Sequence, residues 1–128
     1  MMEQGLIALL TASPAIAGGR VYPRLPQNVV FPAIRYQMID ARRITSIDAQ
    51  NVGPTEFTLQ IDCVGKTYAE SKTLANQVRQ KLHTYRGSWG TSICRYCYLQ
   101  SENDLYEQDG DDVTHWVAQR YVITTNDE

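Results

Sequence analysis

Apolar and polar residues alternate along this chain with two different periods, and the change of period marks its centre at Thr55–Tyr85. Over Thr55–Val64, Phe57, Leu59, Ile61 and Cys63 alternate with Thr58, Gln60, Asp62 and Val64. A period of two predicts a strand with one apolar face and one mostly polar face. Thr67 with Glu70 three residues on forms a capping box, so a helix is expected to begin there. Leu74, Ala75, Val78 and Leu82, with Ser71 and Tyr85 at the ends, make one helical stripe, while Gln77, Arg79, Gln80 and Lys81 fall largely off it. Gly87 is placed to stop that helix. A strand and a helix, each half apolar and joined by so short a link, should pack on each other and start the core.

The same reading extends to both sides. Glu3–Thr11 carries Leu6, Ile7, Leu9 and Leu10, a short helix with a broad apolar face. Ser13-Pro14 is a cap residue before a proline, a helical restart that Gly18-Gly19 ends. Arg20–Tyr22 reads as a brief strand, and Pro23, Pro26 and Pro32 keep the next stretch extended and irregular. Ala33–Ile44 alternates again, and Ser46–Pro54 reads as a hairpin connection back to the Thr55 strand. Arg86–Gly90 reads as a turn-rich loop, Ser92–Leu99 as a strand, and Val113–Thr125 as a last strand, central or covered on both faces. The expected order is helix, strand, strand, helix, strand, strand. That predicts an α+β fold: an antiparallel sheet of about four main strands with helices packed on one face.

Composition narrows the function classes. A chain of 128 residues and 14.5 kDa, 43% hydrophobic and 20% charged, predicts a single folded domain over residues 1–128. The formal net charge of −2 offers no electrostatic footprint for a nucleic-acid backbone. An odd count of three cysteines argues against a disulfide framework and for a reducing compartment. No run approaches the ~20 apolar residues of a membrane span. Gly5–Ala12 followed by Ala15-Ile16-Ala17 imitates a secretion signal, but Glu3 stands where positive charge is wanted, so a first helix is expected.

The candidate chemistry is thin. Cys94-Arg95-Tyr96-Cys97 has redox spacing, yet it lies in a strand-like segment, where positions three apart point to opposite faces. A structural zinc site would need a second ligand pair, and Cys63, His83 and His115 have no metal spacing. Gly110 invites a calcium-loop reading of Glu102–Asp112, but Leu105 and Trp116 would then occupy its first and last ligand positions, so the reading fails. What remains there is a solvated acidic hairpin tip without Lys or Arg, or a docking surface for a basic partner. His83 and His115 have no triad partners, and Gly87-Ser88-Trp89-Gly90 has no lysine or following helix to cradle phosphate. Trp89 suits either a partner contact at a loop tip or a satellite core position. No catalytic residue, cofactor site or metal site is assigned.

Several segments together resemble the tail-completion, or tail-to-head joining, proteins of long-tailed bacteriophages and prophages. They are Val21-Tyr22-Pro23-Arg24-Leu25-Pro26-Gln27, then Phe31-Pro32-Ala33-Ile34-Arg35-Tyr36, the strand Phe57–Val64 and a helix ending Leu82-His83. The turn Arg86–Gly90, the triplet Asp104-Leu105-Tyr106 and a last strand with Arg120-Tyr121-Val122 extend the likeness over nearly the whole chain. The resemblance implies a virion structural protein and no enzyme. Such proteins are similar to tail terminators, which commonly form a hexameric ring on the tail tube and face the head connector. It therefore implies the chain itself, the tube protein and a connector or adaptor as partners. It also implies a place in the tail or neck of the virion and, during assembly, in the host cytoplasm.

A heterologous interface that closes on rotation would give such a ring. Candidate contact residues are Asp48 and Asn51 in the first hairpin, Trp89 in the loop, and Glu102, Asp104, Tyr106, Glu107, Asp109, Asp111 and Asp112 at the acidic tip. Two other classes stay open on residues alone. One is a small thiol- or metal-dependent enzyme centred on Cys94 and Cys97. The other is a nucleic-acid-binding module, for which Arg35, Arg42, Arg43 and Arg95 are the only basic material.

Overall fold

A computed structural model of the chain describes residues 2–11, 16–25, 27, 30–45, 52–90, 92–109 and 112–126. In chain order the elements are α1 (Met2–Thr11), a 3-10 turn (Ile16–Gly19), β1 (Val21–Tyr22), β2 (Ala33–Thr45), β3 (Val52–Gly65), α2 (Tyr68–Leu82), β4 (Gly87–Trp89), β5 (Ser92–Asp109) and β6 (Asp112–Asn126). The strands form one six-stranded sheet in the order β1-β2-β3-β6-β5-β4. β2, β3, β6 and β5 pair antiparallel, while β1 runs parallel to β2.

This corrects the expectation of a four-stranded antiparallel sheet backed by helices on one face. Among the described residues the molecule is mostly strand, in one sheet mixed in direction and curled into a half-barrel, with two α-helices. The short edge strands account for part of the difference. β1 and β4 are two and three residues long, too short to show a period of two in the sequence. β4 occupies what reads as a loop at Arg86–Gly90. The helices also do not form one layer. α2 lies over β3, β6 and β5, whereas α1 packs on α2 and on the edge strands β4 and β1, which stand at opposite ends of the strand order. Curling of the sheet brings those two ends toward the same helix.

The central strand–helix unit forms for the reasons its pattern gives. The Thr67 hydroxyl accepts the Glu70 N–H at 3.1 Å, and the Glu70 carboxylate accepts the Lys66 N–H at 3.1 Å, so one orphan donor of α2 and the N–H just before its cap are used. Ser71, Leu74, Ala75, Val78 and Leu82 are buried on one face. They meet Leu59, Ile61 and Cys63 of β3 and Val117, Tyr121 and Ile123 of β6 in one core cluster. Each large apolar side chain buried there contributes about 1.5–3 kcal/mol. The helix does not stop at Gly87. It ends at Leu82, and Thr84 takes the positive φ of 65° that a glycine would favour. The Thr84 N–H donates to the Cys97 carbonyl at 2.7 Å, which ties that turn to β5.

Three further expectations change. β5 continues past Leu99 to Asp109, so most of the acidic segment is ladder, paired as far as Asp109 with Asp112. Acidic residues disfavour strands, but here each has a partner on β6 to set its register. Cys94 and Cys97 do not point to opposite faces: a bulge between Cys94 and Tyr96 adds one residue, and both thiols are buried. Trp89 is 1% exposed, a core residue and not a loop-tip contact. The predicted restart at Ser13-Pro14 and the tip of the first hairpin lie outside the described residues.

Trp89 sits against α1, where a Cβ on Gly5 would stand 2.4 Å from its Cδ1. Gly5→Ala gains helix propensity of about 1 kcal/mol but overpacks a buried ring, which typically costs about 1–3 kcal/mol. Overpacking should win, so urea unfolding of Gly5→Ala should show a lower midpoint with an unchanged slope.

Candidate docking surface

β5 and β6 run together beyond α2 as an arm. Its register places Tyr106 opposite His115, Asp104 opposite Val117 and Glu102 opposite Gln119, on the face that α2 also covers. The cap at Thr67 fixes Tyr68 at the start of α2 and Lys72 one turn later, both within reach of that face. The Tyr68 hydroxyl donates to Asp104 Oδ2 at 3.2 Å, and Lys72 Nζ lies 2.6 Å from Asp104 Oδ1. Lys72 also stands 5.5 Å from the Tyr68 ring centroid. The His115 ring meets Tyr68 edge-on and Tyr106 at a tilt, with centroids 6.3 Å away in each case. Tyr106 is 70% exposed and Tyr68 54%. Exposed tyrosines steadied by ring and hydroxyl contacts are what partner-binding patches are made of.

Charge within the patch is partly spoken for. The hydrogen bond from Lys72 holds the Asp104 carboxyl below its usual range. The same bond raises Lys72. Glu102 is tethered too. Gln119, which is 0% exposed, donates from Nε2 to the Ala75 carbonyl at 3.0 Å and to Glu102 Oε1 at 2.9 Å. Its Oε1 accepts the Tyr121 hydroxyl at 2.9 Å and lies 3.9 Å from the Cys63 sulfur. One amide thus links α2, β3, β5 and β6.

The acidic tip is therefore not one patch. Glu102, Asp104 and Tyr106 share the helix-side face, whereas Glu107, one residue out of phase, belongs to the other face. There Glu107 lines a groove of about 290 Å³ with Leu25, Phe31, Trp116 and the Arg35–Asp62 ion pair. Asp109 and Asp112 close the ladder at the end of the arm. Asp48, Asn51 and Asp111 lie outside the described residues. Tyr68, Lys72, His115 and Gln119 were missing from the sequence-level set. Gln119 did carry a signal, being a polar residue in phase with Val117, Tyr121 and Ile123. Tyr68 and Lys72 carried none, because only packing sets which end of a helix meets a distant strand.

The thiols are poorly suited to chemistry. Burial pushes Cys94 up to about 11 and Cys97 up to about 12, and raises Cys63 as well, so thiolate is scarce at neutral pH. Among the described residues no three His, Cys, Asp or Glu side chains converge as a metal site. Nor is any helix among them long and apolar enough to cross a membrane.

Two measurements check this geometry. Gln119→Leu strands buried polar partners and should destabilise the fold by about 1–3 kcal/mol. Calorimetry on Gln119→Leu should therefore give a clearly lower Tm. A depressed carboxyl contributes stability that is present above its unfolded pKa, near 3.8, and lost as pH falls through its lower folded value. Asp104→Asn should therefore be slightly less stable than the wild type at pH 7, with the gap closing as the pH falls below about 4, as unfolding midpoints measured across pH will show.

Comparison with curated protein sequences finds no match. Among solved structures, a chain of the "Virion of native gene transfer agent (GTA) particle" superposes with a TM-score of 0.63 at 12% identity, covering 94% of this chain and 92% of that one. At that identity the likeness speaks for the fold alone. The family described as "Tail completion protein gp17" matches residues 4–125. With nearly its whole length matched, the chain belongs to the tail completion protein gp17 family and has a structural role in tail assembly.

Proposed function

We propose that this chain, acting as one unit, completes the phage tail by forming a ring on the end of the tail tube and joining it to the head connector. Its place is then the tail or neck of the virion, after assembly in the host cytoplasm. The family match over residues 4–125 carries this reading. The exposed Tyr68–His115–Tyr106 patch and its acidic neighbours supply a surface of the composition that contacts with the tube, the connector or another copy require. The thiol-enzyme alternative has little support, since its candidate nucleophiles are buried and their pKa values raised.

Removing the gene from a phage that carries it should leave filled heads and finished tails unjoined in the lysate, as seen by electron microscopy. A plasmid copy should restore joined particles. Infectious, joined particles in the absence of the gene would overturn the proposal.

A further inference from the structure

Because the end strands β1 and β4 are so short, the outer edges of β2 and β5 are mostly unpaired among the described residues. β1 pairs with β2 only at Ile34 and Arg35. β4 pairs with β5 only at Ser92, Ile93 and Cys94. Beyond β4, Arg86 Nε donates to the Arg95 carbonyl, the Thr84 N–H donates to the Cys97 carbonyl, and the Leu99 N–H donates to His83 Nδ1. Past these contacts, among the described residues, no strand pairs with residues 100–107 on the outer edge of β5 or with residues 37–45 on that of β2. Long edges of this kind are templates for another strand.

The two edges match in phase. The Leu99 N–H points away from β6, and the bulge between Leu99 and Ser101 carries that phase to Glu102, Asp104 and Tyr106. The Ile34 N–H points outward to the Arg20 carbonyl at 2.9 Å. That phase passes to Met38 and, beyond the bulge between Met38 and Asp40, to Ala41 and Arg43. Both sets lie on one face, because Met38, Leu59, Tyr121 and Leu99 form a single cross-strand row. Three antiparallel pairings separate β2 from β5, so the two strands run in opposite directions. Copies repeated in the same orientation would therefore meet antiparallel.

The edges also match in charge. Residues 100–107 hold Glu102, Asp104 and Glu107 with no Lys or Arg, whereas residues 37–45 hold Arg42 and Arg43 against Asp40 alone. Lys72 offsets Asp104, which leaves Glu102 and Glu107 to repel a second β5 edge and to attract the Arg42 and Arg43 of β2. Exposed apolar groups stand on both edges: Met38 at 45% and Ile39 at 42%, Leu105 at 46% and Tyr106 at 70%.

We propose that the outer edge of β5 in one copy pairs with the outer edge of β2 in the next, so that the sheet runs on from subunit to subunit. This rests on the ring reading above and adds how the ring is joined. The register that opposes like to like in polarity and unlike in charge sets Met38 opposite Tyr106, Ala41 opposite Asp104 and Arg43 opposite Glu102. Ile39 is then the extra residue of the bulge. β1 covers one end of the β2 edge, and β4 covers the opposite end of the β5 edge. Neighbouring copies therefore step along the strand direction to bring the clear stretches together. The contact uses two different surfaces, as a closed head-to-tail ring requires, and its main-chain bonds supply affinity.

In this register Arg42 and Asn103 face each other at a non-hydrogen-bonded position, where Cβ atoms come closest. The double variant Arg42→Cys with Asn103→Cys, oxidised at high concentration, should give a ladder of disulfide-linked multimers on a non-reducing gel. Each single variant should stop at dimers, since the native cysteines are buried. Tyr106→Pro removes the ring and an outward N–H, which an edge strand tolerates, whereas Tyr106→Ala removes the ring alone. Tyr106→Pro should keep its circular dichroism and self-associate at least about tenfold more weakly than Tyr106→Ala. Wild-type rings seen by sedimentation, with no ladder and unchanged association of Tyr106→Pro, would overturn the pairing and leave the ring reading standing. Neither rings nor ladder, in solution or on isolated tail tubes, would overturn both.

Discussion

One row of side chains has to be kept from water, and the rest of the molecule is disposed around that requirement. Leu59, Ile61 and Cys63 on β3 and Val117, Tyr121 and Ile123 on β6 share a face, and α2 covers it with Leu74, Ala75, Val78 and Leu82. Gln119 sits in the middle of this row, 0% exposed. A buried amide is tolerable only when its donors and acceptor are used. Its partners on α2, β5 and β6 use them, and they fix where the helix stands along the sheet.

Placement of α2 decides the surface in turn. With Ala75 held above Gln119, the first turn of the helix reaches the arm, and Tyr68 and Lys72 fall on Asp104. The exposed tyrosine rings beside them, and the half-buried histidine between, are then steadied in a state suited to contact with another protein. The electrostatics is of the mild surface kind, since Asp104 and Lys72 are both solvated and their pairing orients more than it stabilises. In the proposed ring the sheet is the rigid support, and its uncovered edges and projecting arm are the proposed contact surfaces.

Much was legible in the chain from local patterns. The β3 alternation, the Thr67–Glu70 cap, the α2 stripe and the α1 helix are short-range signals, and each formed close to where its pattern lies. The sequence-level picture failed where the signal was too short or was not local. β1 and β4 are shorter than a period can reveal. The acidic stretch reads as solvated turn because its charges disfavour a strand, yet pairing with β6 carries β5 through it. On an ideal strand the two cysteines would diverge, and a single bulged residue brings them to one face.

The chain by itself determined which segments alternate, where the long helix starts and which family the segments resemble. Tertiary structure alone decided that the sheet curls, that Trp89 is buried under Gly5, and that the acidic residues divide between two faces of an arm. The physical reason is range. Periodicity and capping depend on residues a few positions apart, whereas curl, register and the meeting of Lys72 with Asp104 are set by which distant surfaces exclude water together.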